Sequence, residues 1–255
     1  MIENNFILAS EWIKNSNLTT LFSGAGISVE SGIPPFRGKN GIWEKYDTKY
    51  LDIEFFKKYP KESWKTIKEI FYDFTLSVNP NRAHYFFSRL QNSNMLDTII
   101  TQNIDNLHQK SGSFNVIELH GTTVKTICIS CGIKYDFRES LLNNLPPVCE
   151  NCGGYLKPDF VFFGEPLPEN SFSEAIKLSK QSELQIIIGT SGEVFPASKI
   201  PFISKDSGSK IIEINPERSN YTENISNIFL RGNATDICLE LEKLIFGSAS
   251  NYEKK

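Results

Sequence analysis

Long hydrophobic runs are missing from this 255-residue chain, and so is any excess of positive charge. No apolar stretch approaches the roughly 18 residues that cross a bilayer as a helix, so a membrane-spanning helix is not expected. Thirty acidic against 27 basic residues give a formal net charge of -3, and general nucleic-acid binding is not expected either. The first residues, MIENNFILASEWIKNS, lack a basic segment ahead of their apolar positions. They read as an amphipathic helix rather than a secretory leader, which predicts residence in the cytoplasm. Internal repeats and low-complexity segments are absent as well. Histidine is scarce, with three in the chain, so the search for a general base is short. What remains is ordinary globular composition, long enough for one large domain or a main domain with a smaller insertion.

Four apolar, β-rich runs stand out: 18–24 (LTTLFSG), 96–103 (LDTIITQN), 183–191 (ELQIIIGTS) and 209–215 (SKIIEIN). Each reads as a strand buried on both faces. Helical patterns at 81–91, 169–181 and 235–246 separate them, and the alternation predicts an α/β fold with a doubly wound, parallel sheet. Ligands of such sheets sit beyond the carboxyl ends of the strands, where the polar tails SGAGIS, TQNID, GTSG and EINPE fall. Two stretches break the alternation and read as insertions forming a smaller lobe. One is the aromatic-rich 39–78, expected to be helical; the other is 121–160, which holds four of the five cysteines.

After the first run comes GAGISVESGIPPFRG, residues 24–38. A strand, then G-x-G, then a helix is an arrangement that cradles phosphate, because glycines let backbone N–H groups approach oxygen and a helix N-terminus adds partial positive charge. Yet Val29 stands where the dinucleotide fingerprint has its third glycine, and the next is Gly32. The spacing alone leaves nucleotide binding and an ordinary strand-to-helix turn both open. The tail adds stiffening prolines, the apolar face of Phe36, and in Arg37 a fork of donors suited to phosphate or carboxylate.

Cys128, Cys131, Cys149 and Cys152 form C-x2-C-x17-C-x2-C, the spacing of a structural tetrathiolate zinc site. Two disulfides are the alternative, and the expected cytoplasmic location argues against them. Four thiolates leave no open position for water, so one such Zn2+ folds a lobe rather than catalyses. Cys238, on a leucine-rich helical pattern, reads as core.

Of the three histidines, His84 sits among Ala83, Phe86 and Phe87 and reads as packed structure. His108 follows Asp105 at i+3, so the two are expected to meet on one helix face. His120 ends the run NVIEL and precedes Gly121, at a strand terminus beside the cysteine insertion. An imidazole there titrates near neutrality and can take a proton from a bound hydroxyl, which makes it the candidate base.

Together the segments GAGISVESGIPPFRG, NPNRAH, TQNIDNLHQKSG, ELHG, the four cysteines, KPDFVFFGE, GTSGEVFPA and EINPE resemble the sirtuins, NAD-dependent protein deacylases, in family order and over nearly the whole chain. The resemblance implies a single catalytic domain with a Rossmann-like NAD-binding lobe (1–37, 79–120 and 161–247). It also implies a helical insertion (38–78), a zinc-binding insertion (121–160) and a flexible tail (248–255). It implies that Gly24, Ala25 and Gly26 lie against the NAD pyrophosphate with Ser28 close by, and that Phe36 and Arg37 belong to a loop closing over the nicotinamide ribose. Gln102, Asn103, Ile104 and Asp105 correspond to the nicotinamide and ribose pocket. Gly189, Thr190, Ser191, Asn215, Glu217 and Ala234 correspond to the adenosine half.

His120 matches the family's catalytic histidine, with Asn103 holding the ribose. The implied reaction joins the acyl oxygen of an acyl-lysine to the ribose, expels nicotinamide, and passes through an O-alkylimidate to free lysine and 2'-O-acyl-ADP-ribose. Val161, Phe163, Gly164, Glu165 and Val194 look like the acyl-lysine tunnel and the edges between which an extended peptide adds as a strand. Members preferring acidic acyl groups share a Tyr-x-x-Arg pair; here Tyr72 is followed three places on by Thr75, so acetyl or another uncharged acyl group is expected. Mono-ADP-ribosyl transfer and NAD hydrolysis, which use the same NAD site, are the alternatives.

Overall fold

The structure is a computed structural model that describes residues 2–36, 41–73 and 77–247, with side chains from residue 4 onward. Arg37, Thr75 and the tail 248–255 lie outside the described residues. Nine strands follow one another among them: β1 (Thr19–Ser23), β2 (Thr98–Thr101), β3 (Val116–Glu118), β4 (Gly121–Cys128), β5 (Lys134–Asp136), β6 (Leu156–Phe160), β7 (Leu184–Ile188), β8 (Lys210–Asn215) and β9 (Ile228–Arg231). The helices are α1 (Ile2–Asn15), α2 (Ile42–Lys45), α3 (Ile53–Lys58), α4 (Pro60–Ile67), α5 (Arg82–Asn92), α6 (Leu107–Lys110), α7 (Glu169–Gln181), α8 (Ile200–Asp206) and α9 (Ala234–Phe246).

Six strands pair in parallel in the order β3-β2-β1-β7-β8-β9. The four apolar runs supply its interior, and β1 and β7 are buried at every position because helices cover both faces. Pleating splits each strand between two cores. Leu21, Ile99, Ile186, Ile188, Ile212 and Ile214 face α1, α5 and α9, while Phe22, Ile100, Ile187 and Ile211 face α7 and α8. The chain order reverses between β1 and β7, and a crevice opens where neighbouring connections leave in opposite directions. The glycine loop leaves β1 at that point, and Gly189 leaves β7 beside it.

The second lobe has two parts. Helices α2 to α4 lie within 42–67, and a three-stranded antiparallel sheet in the order β5-β4-β6 lies within 121–160. Aromatic packing joins them: Phe56, Trp64, Ile67, Phe71, Phe160 and Phe162 form one buried cluster. Two polar bonds fix its register, from Trp64 Nε1 to the Leu156 carbonyl (2.7 Å) and from Tyr72 Oη to the Thr123 carbonyl (3.0 Å).

The segment after Gly24 is a 3-10 helix (Ala25–Ser31), not the expected regular helix. A glycine, two β-branched residues and two serines in seven positions weaken an α-helix, and Gly32, at φ 100°, ends it. Its contribution of helix-end charge is correspondingly small. Strand β9 and helix α8 were not expected from the sequence at all.

Candidate active site

One cavity of about 2140 Å3 runs along the carboxyl edge of the sheet and into the cleft beneath the small lobe. Gly24, Ala25 and Gly26 line it, as do Phe36, Gln102, Asn103, Ile104 and His120. So do Gly189, Thr190, Ser191, Asn215, Glu217 and Ala234, and Val161, Phe163, Gly164, Glu165 and Val194. Residues more than 200 positions apart in sequence thus share one wall, because the sheet gathers its strand tails there.

The glycines at 24 and 26 have a cause other than the ligand approach suggested by sequence. A Cβ on Gly26 would stand 2.6 Å from Gly189 Cα, and one on Gly24 would stand 2.7 Å from the Gly189 oxygen. The two loops touch backbone to backbone, with Gly26 N donating to the Gly189 carbonyl (2.8 Å) and Gly24 N to that of Ile188 (3.0 Å). Small residues close the floor on which a ligand can lie.

Ser28 and Asp105 do not line the cavity; they stand behind Asn103. The Ser28 hydroxyl donates to Asp105 Oδ2 (2.7 Å), and Asn103 Nδ2 donates to the Gly24 carbonyl (3.2 Å) and to Ser28 Oγ (3.3 Å). Asp105 Oδ1 accepts from the Leu107 amide (2.9 Å), closing the turn into α6. Enclosure pushes the Asp105 carboxyl above its ordinary value, and these donors work against that rise. Asn103 is therefore held from below with its face toward the cavity.

The expected pairing of His108 with Asp105 is not formed. Asp105 precedes α6 and accepts from its first amide, whereas His108 turns into the core, its Nε2 2.9 Å from Ser23 Oγ and its ring 5.1 Å from that of His84. Burial lowers His108 to about 3 and His84 well below its usual value, the latter also through His108. Both are neutral packed rings. Ser23 in turn donates to Thr101 Oγ1 (2.8 Å), which accepts from the Asn103 amide (3.0 Å). His108 thus belongs to the scaffold beneath Asn103.

His120 follows β3 and leads into β4. Its Nδ1 lies 2.9 Å from the Gln102 carbonyl, which can only accept, so Nδ1 carries the proton and Nε2 keeps its lone pair. Burial lowers its pKa, against a raising effect of that bond, and the ring is neutral at pH 7. This is the protonation state a general base needs. The His120 carbonyl accepts from Val161 N (2.8 Å), which ties His120 to the start of the FVFFGE segment.

That segment is braced from both sides. Phe163 N donates to the Leu51 carbonyl and Ile53 N donates to that of Phe163, so the backbone of Phe163 is already taken. Glu165 turns its carboxylate inward, to Phe162 N (2.8 Å) and the buried Lys157 ammonium (2.9 Å). Its side chain holds the turn, and the exposed faces are those of Phe163, Val194 and Phe195. The sequence reading left out Trp43, Leu51 and Phe71, which join Phe160 and Phe162 of the FVFFGE stretch in an apolar wall of the same cavity. The aromatic richness of 39–78 was its one visible sign.

The four cysteines converge: their sulfurs lie within 4.8 Å of one another, and no disulfide joins them. The Cys128–Cys152 and Cys131–Cys149 separations are 3.5 and 3.7 Å. Tetrahedral zinc with Zn–S bonds of about 2.3 Å places its ligands about 3.8 Å apart, so the donor set and its spacing fit that ion. Among the described residues no other cluster of three or more His, Cys, Asp or Glu offers a metal site.

Comparison with known proteins agrees with this geometry. The model of the Sir2 family matches residues 24–196. An NAD-dependent protein deacylase of Aeropyrum pernix is 42% identical over 236 residues, covering 91% of this chain and 94% of that protein. An NAD-dependent protein deacetylase of Thermotoga maritima is 42% identical over 206 residues, covering 80% and 83%. A solved Sir2 structure with deacetylated p53 peptide and 3'-O-acetyl-ADP-ribose superposes with a TM-score of 0.86 at 36% identity, covering 92% of this chain and 96% of that one. With a glycine-floored crevice, a neutral histidine and a tetrathiolate lobe on the same chain, the protein belongs to the Sir2 family.

Proposed function

We propose that the chain is an NAD-dependent protein-lysine deacylase, which moves an acyl group from lysine to ADP-ribose and releases nicotinamide and 2'-O-acyl-ADP-ribose. The observation that carries this reading is the His120 ring, with Nδ1–H fixed on the Gln102 carbonyl and Nε2 free in the cavity shared by the glycine loop and the FVFFGE segment. NAD supplies the ADP-ribose acceptor and, in nicotinamide, the leaving group.

The chain's own residues divide the remaining work. Gly24, Ala25 and Gly26 form the floor for the pyrophosphate, with Ser28 supporting them from below. Gly189, Thr190, Ser191, Asn215, Glu217 and Ala234 receive the adenosine half. Gln102, Asn103 and Ile104 face the nicotinamide ribose, Asp105 steadies Asn103, and Phe36 covers that end. His120 Nε2 takes the proton of a ribose hydroxyl and returns it later in the cycle, work worth about a hundredfold to ten-thousandfold. Val161 offers its carbonyl to the lysine Nε–H, while Gly164 and the segment around Val194 grip the peptide backbone.

On this reading residues 1–37, 79–120 and 161–247 form the NAD-binding lobe, with 38–78 and 121–160 as its insertions. Zinc holds Cys128, Cys131, Cys149 and Cys152 together. Among the described residues no helix is long and apolar enough to cross a membrane. The free thiols suit a reducing compartment, and we place the protein in the cytoplasm.

Transfer of ADP-ribose to another acceptor, or to water, needs neither the base on the Val161 side nor the apolar wall of Trp43, Leu51 and Phe71. Chromatography of NAD reaction mixtures tests the choice. Deacylation predicts nicotinamide release that depends on an acetyl-lysine peptide and is lost in His120→Ala; equal release with unmodified peptide would show an NAD hydrolase.

A further inference from the structure

Strand β8 carries a carboxylate that the chemistry above does not use. Glu213 is 0% exposed, and no lysine or arginine pairs with it among the described ion pairs. A buried anion is costly unless donors surround it. Glu213 has four: the Ser219 hydroxyl (2.6 Å), the Thr222 hydroxyl (3.0 Å) and Asn215 Nδ2 (3.4 Å) on Oε1, and the Ser226 hydroxyl (2.7 Å) on Oε2. Three of the four come from one loop, 216–227, which connects β8 to β9.

That loop is a wall of the cavity. Pro216, Glu217, Arg218 and Ser219 line it at the adenosine end. Beyond Ser219 the loop clasps the opposite wall: Asn220 N donates to the Ser191 carbonyl (3.0 Å) and Asn220 Nδ2 to that of Gly192 (3.2 Å). Asn215 Nδ2 reaches the Thr190 carbonyl (2.8 Å) as well as Glu213. One buried carboxylate therefore gathers a polar loop that would otherwise be exposed chain, and through it sets the distance between the two walls.

We infer that Glu213 is a positioning residue for the adenosine half of the NAD site, acting through Ser219, Thr222, Ser226 and Asn215 without touching the ligand. The inference rests on the proposed NAD-dependent reaction. It assigns Glu213 to NAD affinity above all, since none of its four hydrogen-bond partners bonds to His120, Val161 or Val194, and the loop reaches the peptide side only through Ser191 and Gly192. A group that served only to hold the fold would lower stability and affect both substrates alike.

The test is steady-state kinetics of Glu213→Ala, Glu213→Gln and Ser226→Ala, varying NAD and acetyl-lysine peptide separately. Glu213→Ala loses every bond to the loop, and KM for NAD should rise about tenfold or more, the worth of a hydrogen bond to a charged group. kcat and the KM for peptide should stay within about twofold. Glu213→Gln keeps an oxygen for Ser219, Thr222 and Asn215 and offers an amide to Ser226, so it should restore most of the NAD affinity. If Glu213→Ala does not fold, Ser226→Ala decides: Ser226 lies outside the cavity lining, and its loss should raise KM for NAD about threefold with peptide KM unmoved. An unchanged KM for NAD in the folded variants, or equal rises for both substrates, overturns the assignment. A wild-type chain that turns over no NAD overturns the deacylase reading instead, so the two failures are distinguishable.

Discussion

Replacing Gly26 by alanine tests the contact on which the floor of the site depends. The new methyl group would stand 2.6 Å from Gly189 Cα, 2.8 Å from its oxygen and 2.9 Å from its carbonyl carbon. All three are backbone atoms at the end of β7, and none can swing aside. The loops must part, and the 2.8 Å bond from Gly26 N to the Gly189 carbonyl lengthens or breaks. Overpacking costs about 1–3 kcal/mol and the lost bond about 1 kcal/mol, which sums to roughly 2–4 kcal/mol. For a chain of this size that lowers Tm by roughly 5–15 °C. Parting the floor also displaces the groups that meet NAD, and a misplacement of about 1 Å can cost a hundredfold, so KM for NAD should rise at least tenfold. Differential scanning calorimetry and NAD-dependent kinetics read the two effects together. Gly32→Ala is the control: nothing lies within 4 Å of its added Cβ, and only its φ of +100° is unfavourable. It should lose about 1–2 kcal/mol of stability and leave KM for NAD alone. A Gly26→Ala protein with wild-type Tm and wild-type KM would refute the backbone-contact argument.

Other consequences can be checked with the same protein. Because burial lowers the pKa of His120, the free enzyme's base stays neutral below its ordinary 6.5, and kcat/KM should hold level from pH 8 to below pH 6.5 before falling as protons are added. A pH profile whose acid limb lies above pH 7 would contradict this. Metal analysis should find about one zinc per chain, and Cys131→Ser should lower both zinc content and Tm; full activity in zinc-free protein would remove the metal from the account. Tyr72 is followed three places on by Thr75 and not by Arg, so acetyl-lysine should be cleaved in preference to succinyl-lysine, measured as kcat/KM on matched peptides. Efficient desuccinylation would overturn that order.

Much of the architecture is visible in the sequence because parallel strands buried on both faces are rich in apolar and β-branched residues, as LTTLF, TIIT, LQIII and the IIEI of β8 are despite Gln185 and Glu213. The cysteine spacing and the position of His120 at a strand end are equally local signals. The rest depends on tertiary contact. Strand β9 is four residues, IFLR, at the sheet edge, where the pattern is too short to stand apart from its surroundings. The requirement for glycine at 24 and 26 comes from contact with Gly189, more than 160 positions away, which no local pattern shows. His108 leaves Asp105 for Ser23 because burying its ring beside His84 outweighs a bond on the short α6. The inward turn of Glu165 follows from Lys157, and nothing in FVFFGE itself reveals it.

The central claim meets its most direct test in mass spectrometry of an acetyl-lysine peptide incubated with the purified chain, with and without NAD. The account predicts deacetylated peptide and O-acetyl-ADP-ribose in equal amounts, formed only when NAD is present and His120 is intact. Consumption of NAD with the acetyl group still on the peptide would contradict it.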